Sequence, residues 1–178
     1  METGLEPETT PSFHERFVEL FEAHFHSVYR YLNRLSGDPE LAADVAQEAF
    51  VKLYQRGSLP DVPEAWVISV AMNLFRNAAT TRSRRLRLLT PARGESVLSD
   101  PPPAPDAAVE AEDTRRRVRS ALDRMSERER HMLLLRAEGL SYRDIAAALL
   151  MNEASVGVLL ARARRAFRKI YEESSGAS

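Results

Sequence analysis

The chain has 178 residues, a formal net charge of −1 and a composition that is 44% hydrophobic and 29% charged, enough to fill one medium core or two small ones. Glycine is scarce while Ala, Leu, Arg and Glu are common, a balance that favours an all-α protein, and the absence of cysteine excludes disulfides, thiol catalysis and cysteine-based zinc sites. The longest apolar run, Ile145 to Met151, is too short to span a bilayer, and the acidic start lacks a secretory pattern, so the chain is expected in the cytoplasm with no membrane insertion.

Residues 1–12 carry Pro, Thr and Glu without periodicity and read as a disordered tail. From Phe13 to Leu35 apolar residues recur at Phe17, Leu20, Phe21, Phe25, Val28, Tyr29 and Leu32, the spacing of a long amphipathic helix. Its histidines, His14, His24 and His26, point in different directions, and His131 stands alone, so neither a metal nor a catalytic histidine is expected. Gly37 ends this helix, Asp38 caps the next and Pro39 takes its first position. In that second helix Leu41, Ala42, Val45, Ala46, Ala49, Phe50 and Leu53 face inward. Asp44, Gln47, Glu48, Val51 and Lys52 are left outside.

Gly57, Pro60 and Pro63 mark a loop over Arg56 to Pro63, after which a helix runs from Glu64 through Arg84. On a wheel of about 100° per residue Trp66, Asn73, Asn77, Thr80 and Arg84 share one side. Asn can bond to base edges, an indole can stack on an unpaired base, and the arginines Arg82, Arg84 and Arg85 can hold phosphates. Packing of Trp66 into the core at a helix start is the other reading of that residue. Residues 88–113 are proline-rich and increasingly acidic and read as an extended linker, which separates an N-terminal domain, 13–87, from a C-terminal domain, 114–173, with a tail at 174–178.

In the C-terminal domain Val118, Ala121, Leu122 and Met125 face inward; Ser126 and Glu129 form a capping box, and the helix that follows buries Met132, Leu133 and Leu135 before stopping at Gly139. Ser141 and Asp144 form a second capping box, and after a turn near Met151 Asn152 caps the last helix. There Val156, Leu160, Ala163, Phe167 and Ile170 make the buried stripe, with Val158, Arg162, Arg165 and Lys169 roughly opposite. A short capped helix, a tight turn and a helix apolar on one side and basic on the other is a helix-turn-helix pattern. The near-zero net charge hides an acid-rich first part and basic clusters at Arg82 to Arg93, Arg115 to Arg136 and Arg162 to Lys169. Phosphate attraction acts over roughly 8 to 10 Å, so local clusters matter more than the total.

In this order the parts resemble the extracytoplasmic-function group of the bacterial sigma-70 family. The resemblance runs from Phe13 to Ile170 and rests on Asp38-Pro-Glu-Leu-Ala-Ala-Asp44-Val-Ala-Gln47-Glu48-Ala-Phe50, on Ala65-Trp66 through Asn73-Leu74, on Leu122 to Arg130 and on Ser141-Tyr142-Arg143-Asp144-Ile-Ala through Arg162-Ala-Arg164. It implies an alternative sigma factor, a dissociable specificity subunit of RNA polymerase and not itself an enzyme, without a cofactor and monomeric when free. It assigns Asp44, Gln47, Glu48, Phe50 and Val51 to the β′ clamp helices of bacterial RNA polymerase core. Arg56, Trp66, Asn73, Asn77, Arg82, Arg84 and Arg85 fall to the −10 element of promoter DNA, with Arg56 to Pro63 shaping a pocket for a flipped base. Ser141, Tyr142, Arg143, Ser155, Gly157, Val158, Ala161, Arg162 and Arg165 fall to the −35 element, with the β flap and an anti-sigma factor as further partners.

Three departures stand out. Met72 and Asn77 replace residues that are often basic and acidic in relatives, and Ala154-Ser155-Val156-Gly157-Val158-Leu159 replaces the common Gly-Thr-Val-Lys-Ser-Arg. The last leaves the start of the recognition helix to thymine-methyl contact by Val158 or Ala161, backbone approach at Gly157 and phosphate holding by Arg162 and Arg165. Two rivals follow: a stand-alone helix-turn-helix regulator, and a sigma-like decoy that binds polymerase or an anti-sigma factor.

Overall fold

The Ser12 hydroxyl accepts from the Glu15 amide while the Glu15 carboxylate takes the Ser12 N–H, a reciprocal cap that opens α1 (Phe13–Ser36). Gly37 closes α1 in the left-handed region at φ 69°. The left-handed backbone favours glycine there, and an added Cβ would displace the tip of the Arg119 side chain, whose guanidinium lies over the turn. The Asp38 carboxylate then accepts from the Glu40 and Leu41 amides and starts α2 (Pro39–Arg56) with Pro39 in its first turn. The computed structural model describes residues 11–89 and 106–175; within them follow α3 (Pro63–Leu89), α4 (Asp106–Asp123), α5 (Glu127–Ala137), α6 (Tyr142–Ala148) and α7 (Glu153–Ser175), with no strand. The fold is all-α, as the composition and periodicity imply.

The C-terminal domain starts earlier than the sequence suggests. Residues 106–113 belong to α4 and not to an extended linker. Once Pro105 is passed, Ala107, Ala108, Glu110, Ala111 and Glu112 are strong helix formers, and Glu112 to Arg115 and Asp113 to Arg116 ion pairs run along the exposed surface of α4. α3 likewise continues to Leu89. The rest of the expected linker, 90–105, lies outside the described residues, as do 1–10 of the first tail and 176–178 of the last.

Val28, Leu32, Val45, Ala49, Phe50, Leu53, Val67 and Ile68 form the core of the α1 to α3 bundle. α7 lies against α4, α5 and α6, and Met132, Leu135, Ile145, Val156, Leu160 and Ala163 fill the second core. The sequence implies two domains on a flexible tether; in the structure the two bundles also touch, α1 against α5 and α3 against α6, and their buried residues form one continuous cluster. Tyr31 shows why. It is off the apolar stripe read from the sequence, yet it is 1% exposed, because it faces the second domain.

A chain of polar contacts runs along that boundary. The Tyr31 phenol lies 2.6 Å from Nδ1 of the buried His131, whose Nε2 lies 3.4 Å from the Glu127 carboxylate, and Arg76 donates to the same carboxylate at 2.9 Å. Burial pushes the phenol pKa far up, so Tyr31 keeps its proton and donates it to Nδ1. This fixes the imidazole as the Nε2–H tautomer, donating toward Glu127. Arg76 first, and His131 second, hold the Glu127 carboxyl below its ordinary range. Burial lowers the His131 pKa, with Glu127 opposing.

The unfolded imidazole takes up a proton near pH ~6.5, whereas the folded one resists it. His131 therefore stabilises the fold fully above that pH, and the contribution falls away as pH drops toward the lowered folded value. The thermal midpoint should be lower at about pH 5.5 than at about pH 7.5. In His131→Phe that slope should flatten, whatever the absolute midpoint, as read by circular dichroism melts; an unchanged slope would assign the pH dependence to other groups.

Candidate functional site

The outer face of α2 carries Asp44, Gln47, Glu48 and Val51, all exposed, with Glu48 held 3.5 Å from Lys52 one turn on. Phe50 does not belong to that face: it is 2% exposed, its ring centroid 5.1 Å from Phe21 and 5.8 Å from Phe25. It therefore shapes the face from beneath and cannot touch a partner directly. Tyr54, 49% exposed, extends the face and packs edge-on to Phe17 at 5.0 Å. The sequence reading stops short of it, although it sits one turn beyond Val51 on the same side. Phe21 and Val18 of α1, each 37% exposed, add apolar surface.

Where α2 meets α3, two candidate residues come together. Arg56 ends α2, the Gly57 turn follows, and the Arg56 guanidinium carbon sits 5.7 Å from the centre of the Trp66 ring, within cation–π range. Trp66 is half-buried and packs against the core, as one of the two readings expects, and the Arg56 guanidinium reaches its ring. Further along α3 Asn73 and Asn77 are exposed. Arg76, which the sequence reading passes over, donates to the Asn73 side-chain carbonyl at 3.3 Å as well as to Glu127. The Thr80 hydroxyl turns back to the Arg76 carbonyl. The side chains of Arg82, Arg84 and Arg85 lie outside the described residues. Between α3 and the α5–α6 region is a crevice of about 420 Å³ lined in part by Ser69, Met72, Asn73, Arg76 and Arg128.

The second candidate surface is the helix-turn-helix. α6 and α7 meet at 93°, as in DNA-binding pairs. The Ser141 hydroxyl accepts from the Asp144 amide and faces the Asp144 carboxylate, so it is used up in capping; Asn152 caps α7 through the Ala154 amide at 2.9 Å. Tyr142 is 41% exposed, with the Arg136 guanidinium carbon 5.7 Å from its ring centre. Gly157 lies opposite, where a Cβ would meet the Tyr142 ring at 3.4 Å. Arg143, Ser155, Val158, Ala161, Arg162 and Arg165 are exposed, Val158 at 57%. Arg136 is the addition here that the sequence reading misses.

Among the described residues no group of three or more His, Cys, Asp or Glu side chains is placed to hold a metal ion, and no single helix is long and apolar enough to cross a membrane.

The family model for sigma-70 region 2 matches residues 20–85 and that for sigma-70 region 4 matches residues 115–167. The chain is 30% identical over 157 residues to the RNA polymerase sigma-H factor of Pseudomonas aeruginosa, covering 81% of this chain and 80% of that one. It is 30% identical over 157 residues to the ECF RNA polymerase sigma factor SigE of Mycolicibacterium smegmatis, covering 84% of this chain and 59% of the relative's length. Among solved structures it is similar to the sigma factor RpoE of Bartonella quintana in complex with the anti-sigma factor NepR, with a TM-score of 0.61 and 20% identity over 88% of this chain and 97% of that one. It is also similar to CnrH in complex with the cytosolic domain of CnrY, with a TM-score of 0.62 and 19% identity over 90% of each chain.

The turn between α6 and α7 contains the one non-glycine residue with positive φ among the described residues, Leu150 at 51°, with 90% of its surface exposed. A left-handed L-residue costs about 1–2 kcal/mol, whereas glycine gives back only about 0.5–1 kcal/mol through its unfolded-chain entropy. Leu150→Gly should therefore raise stability by about 0.5–1 kcal/mol in urea unfolding. A lowered midpoint would mean that the leucine side chain is held by contacts worth more than the strain.

Proposed function

We propose, for a chain that belongs to the bacterial sigma-70 family as an alternative sigma factor directing transcription initiation, that α2 docks it on core RNA polymerase, the α2–α3 corner opens the −10 element and α7 holds the −35 element. The observation that carries this reading is the exposed stripe Asp44, Gln47, Glu48, Val51 and Tyr54, set beside the Arg56 and Trp66 pair on the same domain. An acidic and apolar stripe suits a basic, partly apolar helical partner such as the β′ clamp helices, and an N-terminal domain rich in exposed carboxylates has little other use for a DNA-binding chain.

At the corner, the Arg56 cation and the Trp66 ring supply the two things that a base leaving the duplex needs: a charge for its phosphate and a flat surface to stack on. Extruding a base costs a few kcal/mol, of the same order as one stacking contact plus a neutralised phosphate. Asn73 would read a base edge only after Arg76 lets go of its side-chain carbonyl.

On α7 the exposed groups over the first turns are Glu153, Ala154, Ser155, Val158 and Ala161, and the positive charges come later at Arg162 and Arg165. This arrangement gives a firm hold on phosphates and a weak discrimination among bases, since no arginine is positioned for bidentate contact with guanine. Tyr142 and Arg143 at the start of α6 add to the backbone grip, and the Ser141 hydroxyl contributes through the cap it makes and not by contacting DNA. An anti-sigma factor is the natural regulator, and the solved relative RpoE is held by one.

Run-off transcription with purified core polymerase on a promoter library tests the whole reading: specific initiation should appear only when the chain is added. Binding to duplex promoter DNA alone at nanomolar affinity would favour a free-standing regulator, and core binding without initiation would favour a decoy. Glu48→Lys reverses the charge of a residue whose side chain is 56% exposed. It should weaken core binding by at least about tenfold, roughly 1.4 kcal/mol, with unchanged helical content and thermal midpoint. Loss of helicity would make the residue structural.

A further inference from the structure

The outward direction of α7 is fixed by what the helix buries. Val156, Leu160 and Ala163 are 0–1% exposed, and at about 100° per residue the direction opposite to them falls on Ala154, Val158, Ala161 and Arg165, each within about 50° of it. All four are exposed, Val158 most plainly at 57%. The crest that α7 turns away from the protein is therefore apolar over its first turns and cationic only afterwards. Glu153 stands well off that crest, about 130° round the helix, and Asn152 spends its side-chain oxygen on the Ala154 amide. On one flank is Gly157, where the Tyr142 ring comes within 3.4 Å of the position a Cβ would take. On the other is the exposed Ser155.

We infer, on the reading of α7 as the −35 helix, that the duplex element this chain selects is a short run of thymines, recognised through their C5 methyl groups packed on Ala154, Val158 and Ala161.

From Ala154 to Ala161 the helix rises about 10 Å, close to the roughly 12 Å width of the major groove. The apolar crest spans the groove floor, and Arg162 and Arg165 arrive at its phosphate edge. They set how deep the helix sits and carry no sequence preference. On the floor, guanine presents two acceptors, cytosine an amino donor, adenine one of each, and thymine alone a methyl group. A crest of methyls has no donor or acceptor to return, so the polar edge of another base loses water there without gaining a partner. A thymine methyl gains apolar contact in the same place. The Ser155 hydroxyl, on the flank, can donate to the O4 of a neighbouring thymine. The lack of charged readers on the crest is thus itself a preference.

Uracil differs from thymine only in lacking the methyl group, which isolates the contact. With the full-length chain and purified core polymerase, promoters selected by run-off transcription from a library randomised over the −35 region should be enriched in a thymine run. Replacing those thymines by uracil should lower initiation at least about fivefold. Guanine-rich or unselected −35 sequences, or equal initiation from thymine and uracil templates, would overturn the methyl contact and leave the sigma-factor reading standing. Val158→Asn places an amide on the exposed crest. It should keep core binding and the thermal midpoint, bring the thymine-to-uracil ratio toward one and move the selected element toward adenine; an unchanged ratio would overturn the assignment to this crest. If no template supports initiation the sigma-factor reading fails, and a duplex with a thymine run and its uracil counterpart are then put to the full-length chain alone by fluorescence anisotropy. Tighter binding to the thymine duplex keeps the methyl reader, and equal binding removes it.

Discussion

The Tyr31 phenol is the constraint on which the arrangement of the two domains depends. It is buried on an N-terminal helix whose own bundle offers it no partner, and an unsatisfied buried hydroxyl costs about 1–3 kcal/mol. The partner comes from the other domain, as His131 Nδ1 at 2.6 Å. That one bond sets the imidazole tautomer, which in turn aims Nε2–H at Glu127, and Glu127 draws Arg76 across from α3. Three helices from two domains are thus placed relative to one another by a single polar chain, with apolar contact around it excluding water.

Most of the local architecture is legible because it is written in neighbouring residues. Asp38 with Pro39, Ser141 with Asp144 and Asn152 each announce a helix start through a hydrogen bond that spans three residues or fewer, and each forms as expected. The inward side of α2 follows from spacing alone. Elements that fail to show have a common cause. Periodicity reveals one buried stripe per helix, and α1 has two, the second made by Tyr31 alone. Residues 106–113 read as linker because they are polar, yet a helix of Ala and Glu needs no apolar stripe if it is exposed. His131 stands alone in sequence, but its partner lies a hundred residues away.

The candidate surfaces divide in the same manner. Outward residues of α2 can be found by subtraction from the core, apart from Phe50, where family position and burial disagree and burial decides that the ring acts from below. The Arg56 and Trp66 pair can be suspected from each residue type but not from their distance, since the Gly57 turn and the prolines that follow bring them together. Arg76 and Arg136 escape notice because both are tied to neighbours, and nothing in a one-dimensional pattern tells a tied side chain from a free one. On the proposed −35 surface the exposed arginines Arg162 and Arg165 lie beyond the first turns of α7, so discrimination between promoters would rest more heavily on the melted strand than on the duplex.

Arg119 lying over Gly37 has a consequence for how these modules can be exchanged. The guanidinium of one domain rests over the bare turn of the other, and the Tyr31 phenol is matched to His131. A chimera that grafts the C-terminal half of a relative onto this N-terminal half would keep both sets of caps, since those are internal to each half, but would cut a hydrophobic cluster that runs across the boundary. It would lose the complementarity across the boundary, leaving a buried phenol without an acceptor and a bare glycine turn. The two halves of this chain are matched as a pair, so inheritance of one half constrains what the other half can become.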